Sequence, residues 1–331
     1  MLQDALWWTG RGSSREIRRD HRLQAYRALV HHDDEAWDRL LPDEDGAPLR
    51  VTPVETHASS DGQTSKWMLA LSDGIRVETV LMRHLGGRQT ACLSTQAGCA
   101  MACTFCATGQ GGLGRHLTST EILEQALFVD RQLRQEGKRL TNVVLMGMGE
   151  PFHAYERTRD ALELLADDGG LAIARRRITV STVGLVDGIR AFAHDARGVN
   201  LALSLHAADD ETRDRLMPVN RRHPIPELME ACRDFTARTR RRIFIEYLLL
   251  AGINDDLADA NRLAGLLRGG DFHVNLIPWN PVPGAPLEAP TPERVRDFHA
   301  TLRTLGLPVT VRRTMGADVH AACGQLVTRG R

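Results

Sequence analysis

From about Ser94 onward, short runs of β-branched and aliphatic residues alternate with longer stretches whose apolar positions recur at helical spacing. The runs Ala91–Thr95, Asn142–Met146, Arg177–Ser181, Asn200–Leu205, Ile243–Leu249, His273–Ile277 and Val309–Arg312 are expected as strands. Between them, Thr118–Gln135, Tyr155–Ala166, Leu185–His194, Pro226–Ala237, Asp256–Leu267 and Thr291–Leu305 are expected as helices. Thr118 with Glu121 three residues on is a capping-box signature. Thr291 before Pro292 suits an N-cap and first helical position, and Gly306 and Pro308 end that helix. Such alternation implies an α/β fold with a parallel sheet and crossover helices, either a barrel or a doubly wound sheet. In both, chemistry gathers at the C-terminal ends of the strands.

Upstream, the pattern changes. Trp67–Leu71 and Ile75–Met82 alternate around Ser72-Asp73-Gly74, the signature of a hairpin. Residues 1–50 are rich in Arg, Asp and His and hold two helical stretches, Asp20–Val30 and Asp34–Leu41. Three units are expected: a small helical region over 1–50, a β-hairpin extension over 51–90 and the α/β core over 91–331.

A chain of 331 residues that is 42% hydrophobic and 25% charged has an ordinary globular composition. No apolar run approaches the roughly 18–20 residues that span a bilayer. The longest, Ile243–Ile253, is interrupted by Glu246, and the opening MLQDALWW lacks a basic n-region. A cytoplasmic location without a membrane partner is expected, in a compartment that keeps thiols reduced. The zero net charge argues against a strongly basic nucleic-acid binder. Yet the cations are almost all arginine, with Lys66 and Lys138 the exceptions, and they cluster at 15–22, 175–177, 221–222, 238–242 and 312–313. Arginine matches phosphate in a bidentate fork, so an RNA partner stays open.

Six cysteines in such a chain do not imply a disulfide framework. Cys232 lies among helix formers and reads as a core residue. Cys99, Cys103 and Cys106, in GCAMACTFCATG, differ: C-x3-C-x2-C spacing fits one loop wrapped around three irons of a 4Fe–4S cube. The fourth iron then lacks a protein ligand and can bind a small molecule. Zinc held by three cysteines and His116 is the alternative. The spacing, and Phe105 before the last cysteine, favour the cluster.

Further segments fall at successive strand ends. VVLMGMGEP (Val143–Pro151) places Gly147, Gly149 and Glu150 after the second core strand, where glycines permit close approach and a carboxylate can receive an ammonium. ITVSTVG ends the third strand with Ser181, LALSLHA ends the fourth with Ser204, Leu205 and His206, and NLIPWNPVPGAP holds Asn280 in a proline-stiffened loop. With the cysteine loop, VETV (Val77–Val80) and AACGQL (Ala321–Leu326), they resemble the radical S-adenosylmethionine (SAM) superfamily. Within it, they resemble the dual-specificity rRNA/tRNA adenine-C2 methyltransferases and their adenine-C8 relatives.

The resemblance runs from about Val77 to Leu326 and implies a partial (β/α) barrel core with one 4Fe–4S cluster on Cys99, Cys103 and Cys106. It implies SAM contacts at Gly149, Glu150, Ser181, Ser204, Leu205, His206 and Asn280. Cys323 is implied to carry the methyl group, Cys92 to resolve the enzyme–RNA adduct through a transient disulfide with Cys323, and Glu78 to accept a proton. Two SAM molecules per turnover, an rRNA or tRNA substrate, a one-electron reductant such as flavodoxin or ferredoxin, and a monomer are also implied. The N-terminus departs from the family: LQAYRALVHH is a shortened remnant of its RNA-docking helical domain.

The chemistry is consistent with this. Carbon 2 or 8 of adenine is an electrophilic amidine carbon, so a methyl cation from SAM does not add to it. A radical on the methyl group of Cys323 avoids the problem, with the base drawn out of its stack. The expected activity is methylation of an adenine carbon, C2 ahead of C8. The alternatives are the same machinery acting on a peptide or small molecule, and a non-enzymatic iron–sulfur RNA sensor.

Overall fold

The computed structural model describes residues 51–195, 197–282 and 284–327. The helices expected at 20–30 and 34–41 lie outside the described residues.

Strands β1 (Thr52–Ala58), β2 (Thr64–Ala70), β3 (Arg76–Arg83) and β4 (Gln89–Cys92) form an antiparallel meander. The expected hairpin is β2–β3, closed where the Gly74 amide donates to the Leu71 carbonyl at 2.9 Å. Strand β1 was not legible, because all seven of its residues are exposed and no face alternates. Next, β5 (Gln96–Gly98) and β6 (Leu113–His116) pair as a separate small sheet, with the short helix α1 (Ala107–Gln110) between them.

Strand and helix then alternate: α2 (Ser119–Gln135), β7 (Asn142–Leu145), α3 (Tyr155–Leu165), β8 (Ile178–Thr182), α4 (Val186–Asp195) and β9 (Asn200–Ser204). They continue as α5 (Asp210–Leu216), α6 (Ile225–Thr239), β10 (Ile243–Leu249), α7 (Leu257–Leu267), β11 (Phe272–Pro278), α8 (Pro292–Thr304) and β12 (Val309–Val311). The capping box of Thr118 and Glu121 starts α2, and Thr291 caps α8 ahead of Pro292. Helix α5 was not expected: DETRDRL has no apolar stripe, yet Asp209 caps it and Arg213 is fully buried.

The large sheet runs β1-β2-β3-β4-β7-β8-β9-β10-β11-β12, and every pair from β4 onward is parallel. A doubly wound sheet reverses its strand order at a switch point. Here the order never reverses, so the sheet winds one way around a lumen as a partial (β/α) barrel. Period-two alternation sorts the side chains. Val143, Val180, Leu203, Ile245 and Leu276 go into the core that includes Leu123, Leu162, Ile189, Leu228 and Phe298 of the helices. Val144, Ser181, Ser204, Glu246 and Asn275 line the lumen.

Candidate active site

The lumen is a cavity of about 870 Å³. It gathers Cys92, Cys99, Cys103, Cys106, Gly149, Glu150, Ser181, Ser204, His206, Asn280 and Cys323 into one wall. Of the residues expected at the site, Glu78 and Leu205 alone do not line it. The Leu205 side chain is wholly buried in the core, its amide donates to the Glu246 carbonyl at 3.1 Å and its carbonyl accepts from Arg213 Nε at 3.1 Å.

The three-cysteine loop springs from the β5–β6 pair. Its base is closed where the Cys99 amide donates to the Gly112 carbonyl at 2.8 Å. Gly98, with φ of +84°, permits this closure: a Cβ there would stand 2.0 Å from the Gly112 oxygen. At the loop's far end Phe105 packs edge-on against the His206 ring at 4.9 Å, and its carbonyl accepts from Trp279 Nε1 at 3.3 Å. The aromatic residue before the last cysteine therefore anchors the loop across the mouth of the lumen.

The donor set fits a cluster. Burial pushes the Cys99 thiol up to about 12 and raises the Cys103 thiol well above its ordinary range. Such thiols ionise only for a metal that takes the thiolate. A single zinc draws its sulfurs to roughly 3.8 Å of one another, given Zn–S bonds near 2.3 Å. Cysteines on separate irons of a cube need not come so close. His116 is engaged elsewhere, edge-on to His153 at 4.8 Å with Nδ1 2.8 Å from the Gln96 amide nitrogen.

Beside the loop, the turn after β7 crosses close over Gln96. A Cβ on Gly149, at φ of +101°, would meet the Gln96 side chain at 2.5 Å. Glu150 is buried, and its carboxylate accepts from Thr182 Oγ1 at 2.7 Å, the Val183 amide at 2.8 Å and the Phe152 amide at 3.0 Å. A carboxylate has about four acceptor positions, so one is left facing the cavity. Burial lifts the Glu150 carboxyl to about 7 against the pull of these three donors.

His206, just past β9, takes φ of +60°. Its Nδ1 accepts from the Leu248 amide at 3.0 Å, which assigns the ring proton to Nε2. Burial, helped by Arg213, lowers it to about 3. It is thus a neutral donor. Opposite, Asn280 Nδ2 reaches the Cys323 carbonyl at 3.5 Å.

Cys323 is exposed, whereas Cys92 lies at the buried end of β4. Burial pushes the Cys92 thiol up to about 12; the nearby Cys323 adds to the rise and Arg312 opposes it. Arg312 is held above its ordinary range, first by Cys323 and then by Glu246. The guanidinium lies 3.1 Å from Glu246 Oε2, and Asn275 donates to Glu246 Oε1 at 2.9 Å. The role of this cation was missed in the sequence, where Arg312–Arg313 counted as one arginine cluster among five. The signal was its partner: a lone glutamate inside the apolar run Ile243–Ile253. Cys232 is fully buried in α6, as expected of a core residue.

Residues 93–264 match the radical SAM superfamily model. The chain is 49% identical over 319 residues to dual-specificity RNA methyltransferase RlmN 1 of Myxococcus xanthus, covering 92% of this chain and 88% of that protein. It is 50% identical over 292 residues to probable dual-specificity RNA methyltransferase RlmN of Chloroflexus aurantiacus, covering 85% and 77%. Among solved structures, a radical SAM methyltransferase from Sphaerobacter thermophilus superposes with a TM-score of 0.88 at 43% identity, over 93% of both chains.

Proposed function

Because this chain belongs to the radical SAM superfamily and, within it, to the dual-specificity RNA methyltransferases, we propose that it methylates an adenine carbon of rRNA or tRNA, C2 ahead of C8, by way of a methyl thioether on Cys323. The observation that carries this reading is the sharing of one cavity by Cys323, Cys92 and the three loop cysteines. RNA is favoured over a peptide or small molecule because the relatives from Myxococcus xanthus and Chloroflexus aurantiacus are named RNA methyltransferases.

Cys99, Cys103 and Cys106 hold the 4Fe–4S cluster, and the bound cluster supplies one-electron reduction of SAM and hence radical chemistry. Gly149, Glu150, Ser181, Ser204, His206, Asn280 and the backbone of Leu205 hold SAM. The open acceptor position on Glu150 suits its ammonium, and the Nε2–H of neutral His206 suits an acceptor. Cys323 attacks the SAM methyl carbon: a sulfur–carbon bond forms as the sulfonium bond breaks, and that electron pair leaves with the departing thioether. The thioether methyl would then give a hydrogen atom to the 5′-deoxyadenosyl fragment of a second, reductively cleaved SAM, its carbon would bond to adenine, and the unpaired electron of the adduct would leave by the same one-electron path. Glu78 takes the proton from the adenine carbon, and the Cys92 thiolate attacks the Cys323 sulfur, breaking its bond to the methylene carbon; that carbon takes up a proton to become the methyl group as the base leaves, and a disulfide remains. Glu78 shares a strand face with Val80, whose register partner is Cys92, which supports roles at one adduct.

A flavodoxin or ferredoxin as electron donor, a monomeric state and a cytoplasmic location belong to the same proposal. Among the described residues no helix is long and apolar enough to cross a membrane.

The test is anaerobic reconstitution followed by nucleoside mass spectrometry of rRNA and tRNA treated with SAM and reductant. A methyladenosine should appear, and Cys99→Ala, Cys103→Ala or Cys106→Ala should remove both the brown absorbance and the product. Tightly bound zinc without iron would overturn the reading.

A further inference from the structure

One buried ion pair outside the cavity wall touches the loop that carries Cys323. Lys66 on β2 and Glu78 on β3 are 7% and 3% exposed at their side chains, with Nζ 2.9 Å from Oε1. Both partners also reach beyond the pair. Lys66 Nζ donates to the carbonyl of His320 at 3.1 Å. Glu78 Oε2 accepts from the amide of Val327 at 2.8 Å. His320 and Val327 bracket Ala321–Leu326, the segment that holds Cys323.

Resting on the reading that Cys323 carries the methyl group, we propose that the Lys66–Glu78 pair is the clasp that seats the Cys323 loop, with Lys66 a positioning residue for methyl transfer. Cys323 has to face two different partners in turn, a sulfonium and then a base, so its loop must be both seated and able to leave its seat. Other bonds tether the loop along its length, among them the Ala321 amide to the Gly316 carbonyl at 2.8 Å, Asn280 Nδ2 to the Cys323 carbonyl at 3.5 Å, the Ala107 amide to the Gly324 carbonyl at 2.8 Å, Thr108 Oγ1 to the Leu326 carbonyl at 2.6 Å, and Gln325 Nε2 to the Pro281 carbonyl at 3.0 Å. The clasp alone holds both ends, and it does so with charge-assisted bonds, the stronger kind. While the loop is seated, both oxygens of Glu78 are taken, one by Lys66 and one by Val327. Lifting the loop removes the Val327 donor from Oε2, so Glu78 becomes a stronger proton acceptor once Cys323 has moved.

The residue type fits the task. Lys66 is one of two lysines in a chain otherwise supplied with arginine. A compact ammonium with three donors bridges a carboxylate and a carbonyl in a confined site, where a planar guanidinium fork is harder to place.

The clasp is tested on the full-length, cluster-loaded protein by Lys66→Met, reading amide hydrogen exchange over 320–327 and methylation of Cys323 by labelled SAM. Exchange at Ala321, Ala322 and Val327 should quicken by about tenfold or more, as local opening becomes easier. The maximal rate of Cys323 methylation should fall at least about tenfold, because a displacement near 1 Å is enough to do so. The SAM concentration for half-maximal rate and the iron content should not change. Should Lys66→Met fail to fold because Glu78 is left buried and unpaired, Lys66→Met/Glu78→Gln removes both charges and should still quicken exchange at Ala321 and Ala322. Unchanged exchange in a folded variant overturns the clasp, as does a loss of SAM affinity in place of rate. If the exchange responds while wild-type Cys323 never accepts a methyl group, the clasp stands and the methyl-cysteine reading falls.

Discussion

The amide of Ala107 donates to the carbonyl of Gly324 across 2.8 Å. The first turn after the three-cysteine loop is thereby bonded to the residue beside Cys323. Ala107 follows Cys106 directly, so the proposed cluster ligand and the proposed methyl carrier are placed by one piece of backbone. Thr108 strengthens the link through its 2.6 Å bond to the Leu326 carbonyl.

Thr108→Val should separate this link from the cluster itself. The isosteric change leaves a buried carbonyl without its donor, at a cost of about 1–3 kcal/mol. Chemical denaturation should show a loss of that size, with iron content intact. Methylation of Cys323 should slow. Loss of iron together with stability would instead mean that Thr108 supports the cysteine loop.

Much of this arrangement was legible in the sequence, for local reasons. The β-branched and aliphatic runs are local signals, and Asn142–Leu145, Ile178–Thr182 and Ile243–Leu249 fall within a residue of their expected bounds at every end. The cysteine spacing and the Thr118 capping box are likewise contained within a few residues. What was hidden lies between distant residues. Val327 meets Glu78 across 249 positions, and Arg312 meets Glu246 across 66. Neither pairing leaves a periodic trace. Helix α5 was hidden for a different reason: its most deeply buried side chain is the charged Arg213, which bonds to the Leu205 and Val183 carbonyls at the ends of β9 and β8.

Glu150 should make SAM binding depend on pH. Burial raises its carboxyl to about 7, so near neutrality it is only partly ionised. An ammonium needs the carboxylate, so binding should release a proton and strengthen as pH rises toward 7. Glu150→Gln should bind more weakly and flatten that slope, as calorimetry in buffers of different ionisation enthalpy can show. For folding the sign is opposite. A raised carboxyl favours the folded state below the ordinary 4.5, and this contribution is lost as pH climbs through about 7.

His206 should weaken the fold in acid. Its folded value near 3 lies below the ordinary 6.5, so the unfolded chain binds more protons between those limits. Stability is then fully present above 6.5 and falls as pH drops toward 3, by at most roughly 5 kcal/mol. His206→Asn keeps an acceptor for the Leu248 amide and tolerates the positive φ. The variant should show a flatter denaturation midpoint between pH 6 and pH 4 (about two units of that window). An equally steep fall would assign the acid sensitivity to another group.

Cys92 and Cys323 should separate the two halves of the reaction. Protein isolated from cells should carry about one methyl group on the Cys323 peptide, because that step needs only SAM and a thiolate. Cys323→Ala should lose the modification and all RNA methylation, yet still cleave SAM reductively, since the three loop cysteines are untouched. Cys92→Ala should retain the methyl group and couple it to RNA, but it lacks the thiol that attacks the Cys323 sulfur. A covalent protein–RNA adduct that survives denaturant should therefore accumulate, visible as a nuclease-sensitive shift on a denaturing gel. Burial at the end of β4 holds Cys92 as a thiol near 12, so resolution in the wild type should speed up with rising pH. Normal turnover by Cys92→Ala without adduct would return Cys92 to the core as a packing residue.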